Sequence, residues 1–357
     1  ELPDPRGGFE GPLEATLRAR DVPFAFLARL AQTELPDGAV PAGAQVGGTV
    51  HAPRLDLAVD AGFALVEAGE EKRARFELEA GVGERLIELR TALRMEDAPP
   101  ATVAGTLKAS RPGPIWSQEG LLAAVADVRV NIASLDLDRL ARAGLLPPGT
   151  GGRVEGRAHF TGPVALFDLV GDLQLTAFTL PETGRLRLPP ADVRIDLDAR
   201  KQAVTATVDA LLKGAPRFTA DVHVGHSLAR LMREERPEKA PLRAKVRLEP
   251  GPVDMPEVGL RAELLELAGE VTGTLGKPRA QLIGRAQALL VGEDAVGDAH
   301  LAFAGGPDAW DAGVDLAPAQ GGALSIAATN DRSGWRARLD AEQARLDFLQ
   351  ALPAVGA

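Results

Sequence analysis

The sequence predicts an all-β protein, and three observations carry that expectation. Apolar and polar residues alternate with a period of two through roughly twenty segments. Glycine, proline, aspartate and asparagine turns separate these segments at a spacing of about 8 to 12 residues. Helical periodicity is confined to a few short runs. Together these features predict an elongated, curled antiparallel sheet made of repeating hairpin units, its aliphatic side forming a hydrophobic groove, with a few short helices.

Composition frames the reading. The chain has 357 residues, 45% apolar and 25% charged, which is the balance of a folded protein. Its formal charge of -10 argues against a nucleic-acid partner, because phosphate binding needs clustered Lys and Arg. With no cysteine, disulfides, thiol catalysis and cysteine-based metal sites are all ruled out. No run approaches the ~18 apolar residues of a membrane-spanning helix. The opening "ELPDPRGGFEG" is not a targeting segment, so the sequence reads as a piece of something longer.

Residues 1–36 form a lead-in, where "DVPFAFLARLAQTELPDG" is a brief helical run closing on Leu-Pro. Residues 37–147 form a first groove repeat. Leu55, Leu57 and Val59 alternate with polar neighbours, as do Phe76 with Leu78, and Ala126, Val128, Val130 and Ile132. Near its end, "LDLDRLARAGLLPPG" places Leu137, Leu140 and Ala141 at helical spacing before Gly144, Pro147 and Pro148 stop the run.

Residues 148–250 form a second repeat, beginning with Leu173 and Leu175. In "ADVRIDLDAR", Val193, Ile195 and Leu197 fall opposite Asp192, Arg194, Asp196 and Asp198. Val204, Ala206 and Val208 follow, then Phe218, Ala220, Val222 and Val224, and finally Leu242, Ala244, Val246 and Leu248. Between the last two groups, "SLARLMREERPEKA" reads as a helical turn or a solvated excursion. Residues 251–357 form a third repeat containing "GEVTGTLGKPRAQLIGRAQALL", and "AEQARLDFLQALPAVG" closes it with a short helix.

The repeats announce themselves in their punctuation. "GTVHAP" and "GTLGKP" share Gly-Thr-aliphatic-x-x-Pro, while "GTLKASRP" and "GRAHFTGP" are versions with two extra residues. The Leu-Pro run ends fall at Pro36, Pro147 and Pro353, intervals of 111 and 206 residues. A unit of ~100 to 110 residues added end to end predicts an extended object. Its glycines and prolines read as turn chemistry, positive φ for the former and a blocked ladder for the latter.

Catalytic patterns are missing: no Walker loop, GxSxG elbow or HExxH occurs, and Tyr is absent. The histidines are His51, His159, His223, His226 and His300, with no ligand spacing among them. The expectation is a protein that is not an enzyme and has no cofactor or metal. What needs explaining is the apolar face, which requires a cover. Aromatics are only 4% of the chain, so the face is aliphatic and suited to acyl chains, each buried CH₂ contributing roughly 0.8 kcal/mol. The predicted inward, lipid-facing set is Phe76, Leu78, Val128, Val130, Ile132, Leu173, Leu175, Val193, Ile195, Leu197, Val204, Val208, Phe218, Val222, Val224, Val246 and Leu248.

The succession "LDLDRLARAGLLPPGTGGRVEGRAHFTGPVALFDLVGDLQL", followed by "LPETGRLRLPPADVRIDLDARKQAVTATVDALLKGAPRFTADVHVG", resembles the TamB and AsmA-like family of diderm bacteria. "LAGEVTGTLGKPRAQLIGRAQALL" is similar to that family's hairpin, with Gly269, Gly273, Pro278 and Gly284 in its pattern. The resemblance implies a periplasmic segment of an inner-membrane-anchored protein, its β-groove bridging phospholipids between inner and outer membranes. It also implies an Omp85-type barrel as a partner of some members. The anchor would lie outside this sequence, which reads as the middle of a rod. Two other readings stand beside it: a closed β-sandwich or solenoid scaffold or adhesin module, and a chaperone-like groove for outer-membrane protein assembly.

Overall fold

The structure is a computed structural model, and it describes residues 14–23, 39–49, 53–67, 70–95, 98–111, 115, 117–142, 146–185, 188–200, 202–233, 236–331 and 334–343. Among these are nineteen strands: β1 (Ala15–Pro23), β2 (Ala39–Gly48), β3 (Pro53–Glu67), β4 (Glu70–Val82), β5 (Leu86–Met95), β6 (Ala101–Lys108), β7 (Val125–Asp136), β8 (Gly151–Pro163), β9 (Asp168–Thr179) and β10 (Ala191–Ala199). The remainder are β11 (Val204–Leu212), β12 (Phe218–Val224), β13 (Pro241–Met255), β14 (Leu260–Thr274), β15 (Lys277–Val291), β16 (Asp294–Gly306), β17 (Ala309–Ala317), β18 (Ala323–Asp331) and β19 (Gly334–Glu342). All belong to one open antiparallel sheet, as the alternation predicts.

Two compact units divide the chain: Glu1–Pro148 with Arg153–Gly171, and Gly149–Gly152 with Asp172–Ala357. In the first, each strand from β1 to β8 pairs antiparallel with the next. In the second, the same holds from β10 to β19. The second unit's sheet is bent, since one concavity of about 890 Å³ takes three successive residues from each of β13 to β18.

Among the described residues, four helices of five or six residues interrupt the strands. They are α1 (Gln118–Ala123), α2 (Leu137–Arg142), α3 (Pro181–Arg185) and α4 (Leu228–Arg233). The run at 135–149 gives α2, started by Asp136, whose carboxylate accepts the Arg139 N–H at 3.0 Å. The run at 227–240 gives α4, with Ser227 Oγ accepting the Arg230 N–H at 3.3 Å, and then a 3₁₀ turn at Pro237–Lys239. Two helices, α1 and α3, are not expected from the sequence. Most of the helical runs at 21–38 and 341–356 lies outside the described residues, and their described parts, 21–23 and 341–342, belong to β1 and β19.

The shared motifs separate into two kinds. "GTLGKP" is a hairpin in which Thr274 faces Lys277 across a two-residue turn, and in "GTVHAP" Gly48 faces Pro53. The expectation of a hairpin fails for the longer versions. "GTLKASRP" runs along β6 and on past its end at Lys108, and "GRAHFTGP" lies wholly inside β8. A recurrence absent from the sequence reading comes from two left-handed alanines within strands. Ala177 and Ala288, 111 residues apart, have φ of 52° and 49°. Asp192 Oδ1 accepts the N–H of the first at 2.8 Å and Asp298 Oδ1 that of the second at 2.9 Å, helping to hold a left-handed alanine that costs about 1 kcal/mol.

Turn chemistry also proves to be the wrong reason for Gly269 and Gly284. Both lie inside strands without positive φ. A Cβ on Gly269 would stand 2.1 Å from the Gln281 carbonyl oxygen and 2.6 Å from Leu282 Cδ2. One on Gly284 would meet Leu267 Cδ1 at 3.1 Å. Each glycine makes room for a leucine of the adjacent strand to lie across the sheet. Gly269→Ala should therefore lower stability by about 1–3 kcal/mol in urea unfolding. Gly313 has nothing within 4 Å of its Cβ position, so Gly313→Ala should be neutral or stabilising by about 0.5 kcal/mol. Equal urea midpoints for the two variants would contradict this reading.

Candidate functional site

Cross-strand partners project to the same side of a sheet, so the register assembles the alternating residues into rows. In the second unit one row runs through ten strands: Ile195, Val208, Ala220, Val246, Gly269, Leu282, Phe303, Ala312, Ala328 and Ala337. A second runs Val193, Ala210, Phe218, Leu248, Leu267, Gly284, Leu301, Val314, Ile326 and Leu339. Neither contains a polar side chain. Flanking them, Leu197 aligns with Ala206, Val222 and Ala244, and Val204 with Val224 and Leu242. In β9, Leu173 and Leu175 alternate with exposed Gln174 and share parity with buried Leu169.

The first unit is built alike. Ala44, Leu57, Ala80, Leu89, Gly105, Val128 and Phe160 make one row. Leu78 leads through Thr91 and Val103 to Val130, and Phe76 through Leu93 and Ala101 to Ile132. The register thus brings the predicted inward residues of each unit, Leu173 and Leu175 of β9 apart, onto a single face of that unit.

How far this face is covered can be read from exposure. Of the seventeen predicted residues, sixteen are half-buried and only Val224 is buried, at 7% exposure. Full burial is concentrated elsewhere in the second unit. Val253, Met255 and Ala262 form one cluster and Val296 with Leu324 another, at the ends of β13 to β18 that share one margin. Leu324 is 1% exposed and Val253 2%, whereas Leu301, in a middle row, is 39% exposed. A second layer packed across the face would bury the middle rows as thoroughly as that margin. The middle rows are thus mostly less covered than the margin of Val253 and Leu324, although Ala220 within them and Ala199 and Val224 at the far ends of β10 and β12 are buried.

Alanines show which side is shielded, because their size is constant. On the apolar rows Ala206, Ala210, Ala244, Ala280, Ala312 and Ala328 are half-buried, and Ala220 and Ala286 are buried. On the opposite side Ala268, Ala302, Ala304 and Ala327 are exposed. That opposite side carries ion pairs, Arg194 with Asp196 at 3.1 Å and Arg261 with Asp254 at 3.1 Å, as does the first unit with Arg94 and Glu77 at 3.1 Å, although Ile283 and Leu211 also lie exposed on it. Pairs this exposed add little stability and keep that surface wet.

Titration on the outer side follows from these contacts. Hydrogen bonds from Arg75, His159 and Arg200 hold the carboxyls of Asp60, Asp127 and Asp198 below their ordinary value. A depressed carboxyl contributes stability above its unfolded pKa and loses it as pH falls through the folded one. The thermal midpoint should therefore decline as pH falls below about 4. Replacing all three aspartates with Asn should flatten part of that decline and lower the midpoint at neutral pH by a matching, small amount.

Several residues of the face escaped the sequence reading: Leu267, Leu282, Leu301, Phe303, Val314 and Ile326. Their signal is the same alternation, broken up by Gly269, Gly284, Gly305 and Gly313. No group of three or more His, Asp or Glu residues able to hold a metal occurs among the described residues. No protein family, curated protein or solved structure matches the chain.

An uncovered face and a sealed margin respond differently to charge. Val246→Asp leaves its carboxylate within reach of water, so the chain should keep its strand circular dichroism and a cooperative melt. Val253→Asp buries the same group in a packed cluster and should cost several kcal/mol or abolish folding. Unfolding in both variants would mean that the middle rows form a closed core.

Proposed function

We propose that this chain is a non-enzymatic segment of a lipid-transport bridge, shielding phospholipid acyl chains against the apolar face of its sheet. The observation that carries the reading is the pair of unbroken apolar rows, half-buried in the middle and covered by no second layer. Apolar surface left open to water attracts apolar ligands, and a two-chain lipid gains on the order of 15 to 20 kcal/mol gross on burial. That magnitude offsets much of its extraction from a bilayer. Aliphatic rows without fixed polar groups also favour a ligand free to move along them over one held in place.

The resemblance to the TamB and AsmA-like family adds the setting: the periplasm of a diderm cell, between an inner-membrane anchor and the outer membrane, with an Omp85-type barrel as a further partner. Alternation supports the same reading chemically, since the charged outer side suits an aqueous compartment. A sheet face has no preferred direction, so flux would follow a gradient or a partner.

Native mass spectrometry of protein purified without detergent tests this reading. Adducts with the masses of two-chain phospholipids are expected. A lipid-free spectrum that stays lipid-free after incubation with phospholipid vesicles would favour the closed scaffold module instead.

A further inference from the structure

From β15 to β19 the second unit's apolar face is not the same at its two margins. At one margin the row Ala286, Ala299, Leu316 and Leu324 is packed shut, with Ala286 6% exposed and Leu324 1%, and Val296 beside them at 4%. Across the strands at the other margin lies the row Ala280, Gly305, Trp310, Asn330 and Trp335. Asn330 is the one polar residue of that row, and the register sets it between two tryptophans. The Trp310 ring stacks on Phe303 with centroids 6.3 Å apart, and Trp335 stands 73% exposed on β19.

Tryptophan joins a large apolar body to an indole N–H, and it collects where hydrocarbon meets a polar phase. Asparagine adds both a donor and an acceptor. A row of this kind suits the boundary between a lipid's tails and its head. The packed margin suits chain ends, because a polar head placed there would lose its water without finding partners. Six residues separate Trp310 from Leu316 along β17, roughly 20 Å of strand. One leaflet's share of a bilayer's hydrocarbon core is about 15 Å, so a single lipid fits between the margins.

Building on the lipid-shielding reading, we propose that phospholipid lies along the strands of the second unit, its head at the Trp310–Asn330–Trp335 row and its chain ends at the Leu316–Leu324 margin. The berth is confined to β17 to β19, because across β10 to β15 the same row continues as Leu197, Ala206, Val222, Ala244, Val271 and Ala280. The exposed face of β19 is open to a lipid at that rim.

Tryptophan fluorescence tests this directly. Trp116, outside the described residues, is replaced by Phe so that Trp310 and Trp335 are the reporters. The protein is loaded from vesicles of phosphatidylcholine brominated either near the head end or near the methyl end of its acyl chains. Vesicles are then removed by centrifugation and bound lipid is quantified. Head-end bromine should cause the larger loss of fluorescence, with methyl-end bromine nearly silent at the same bound lipid. Trp310→Phe, leaving Trp335 as the lone reporter, should retain that order. Equal or reversed quenching with lipid bound would overturn the orientation while leaving lipid binding intact. No bound lipid and no quenching would overturn the lipid reading itself.

Discussion

Register is the constraint on which the rest of the structure depends. Side chains in a strand alternate with a period of two, so a one-residue slip between neighbours would carry a whole strand's apolar set to the wet side. Through ten successive strands of the second unit no such slip occurs along the two central rows. Bulges begin just past the central rows, as between Ala286 and Leu289 and between Leu248 and Gly251, and so leave those rows aligned. An apolar face of this length exists only because each hairpin keeps that register.

The composition of the face follows from its being open. A sandwich core is filled by large side chains from two layers, and this face is built from Ala, Val and Leu with few rings. Leucine lies over glycine at Gly269 and Gly284, which lowers the relief of the surface while keeping it apolar. In the second unit, packed clusters at one margin bind strand ends together through Val253, Met255, Val296 and Leu324. Rigidity thus comes from the ladder and from one margin, and the middle of the face is left free to take a ligand.

Much of this was legible in the chain. Alternation at Val193, Ile195 and Leu197, or at Val246 and Leu248, fixes both the strand and its faces, because period two has no other reading. The α2 helix was legible through its i, i+3, i+4 spacing and the prolines after it. What could not be read depends on strand partners. Gly269 looks like a turn residue until Leu282 is known to lie beside it, and the Trp310, Asn330 and Trp335 row is dispersed over 26 positions of sequence. The left-handed Ala177 and Ala288 each donate to an aspartate of the following strand, at spacings of 15 and 10 residues that no periodicity would flag.

The central claim is that the apolar rows stay open in the folded protein, and the absence of cysteine makes it measurable. Single cysteines placed at Ile195, Val246 and Leu282, with Leu324 as the packed reference, can be labelled by a thiol reagent under native conditions. An open face predicts that the three row positions react far faster than position 324 and are protected when phospholipid is added. Row positions as slow as 324, reacting only in denaturant and indifferent to lipid, would contradict the account.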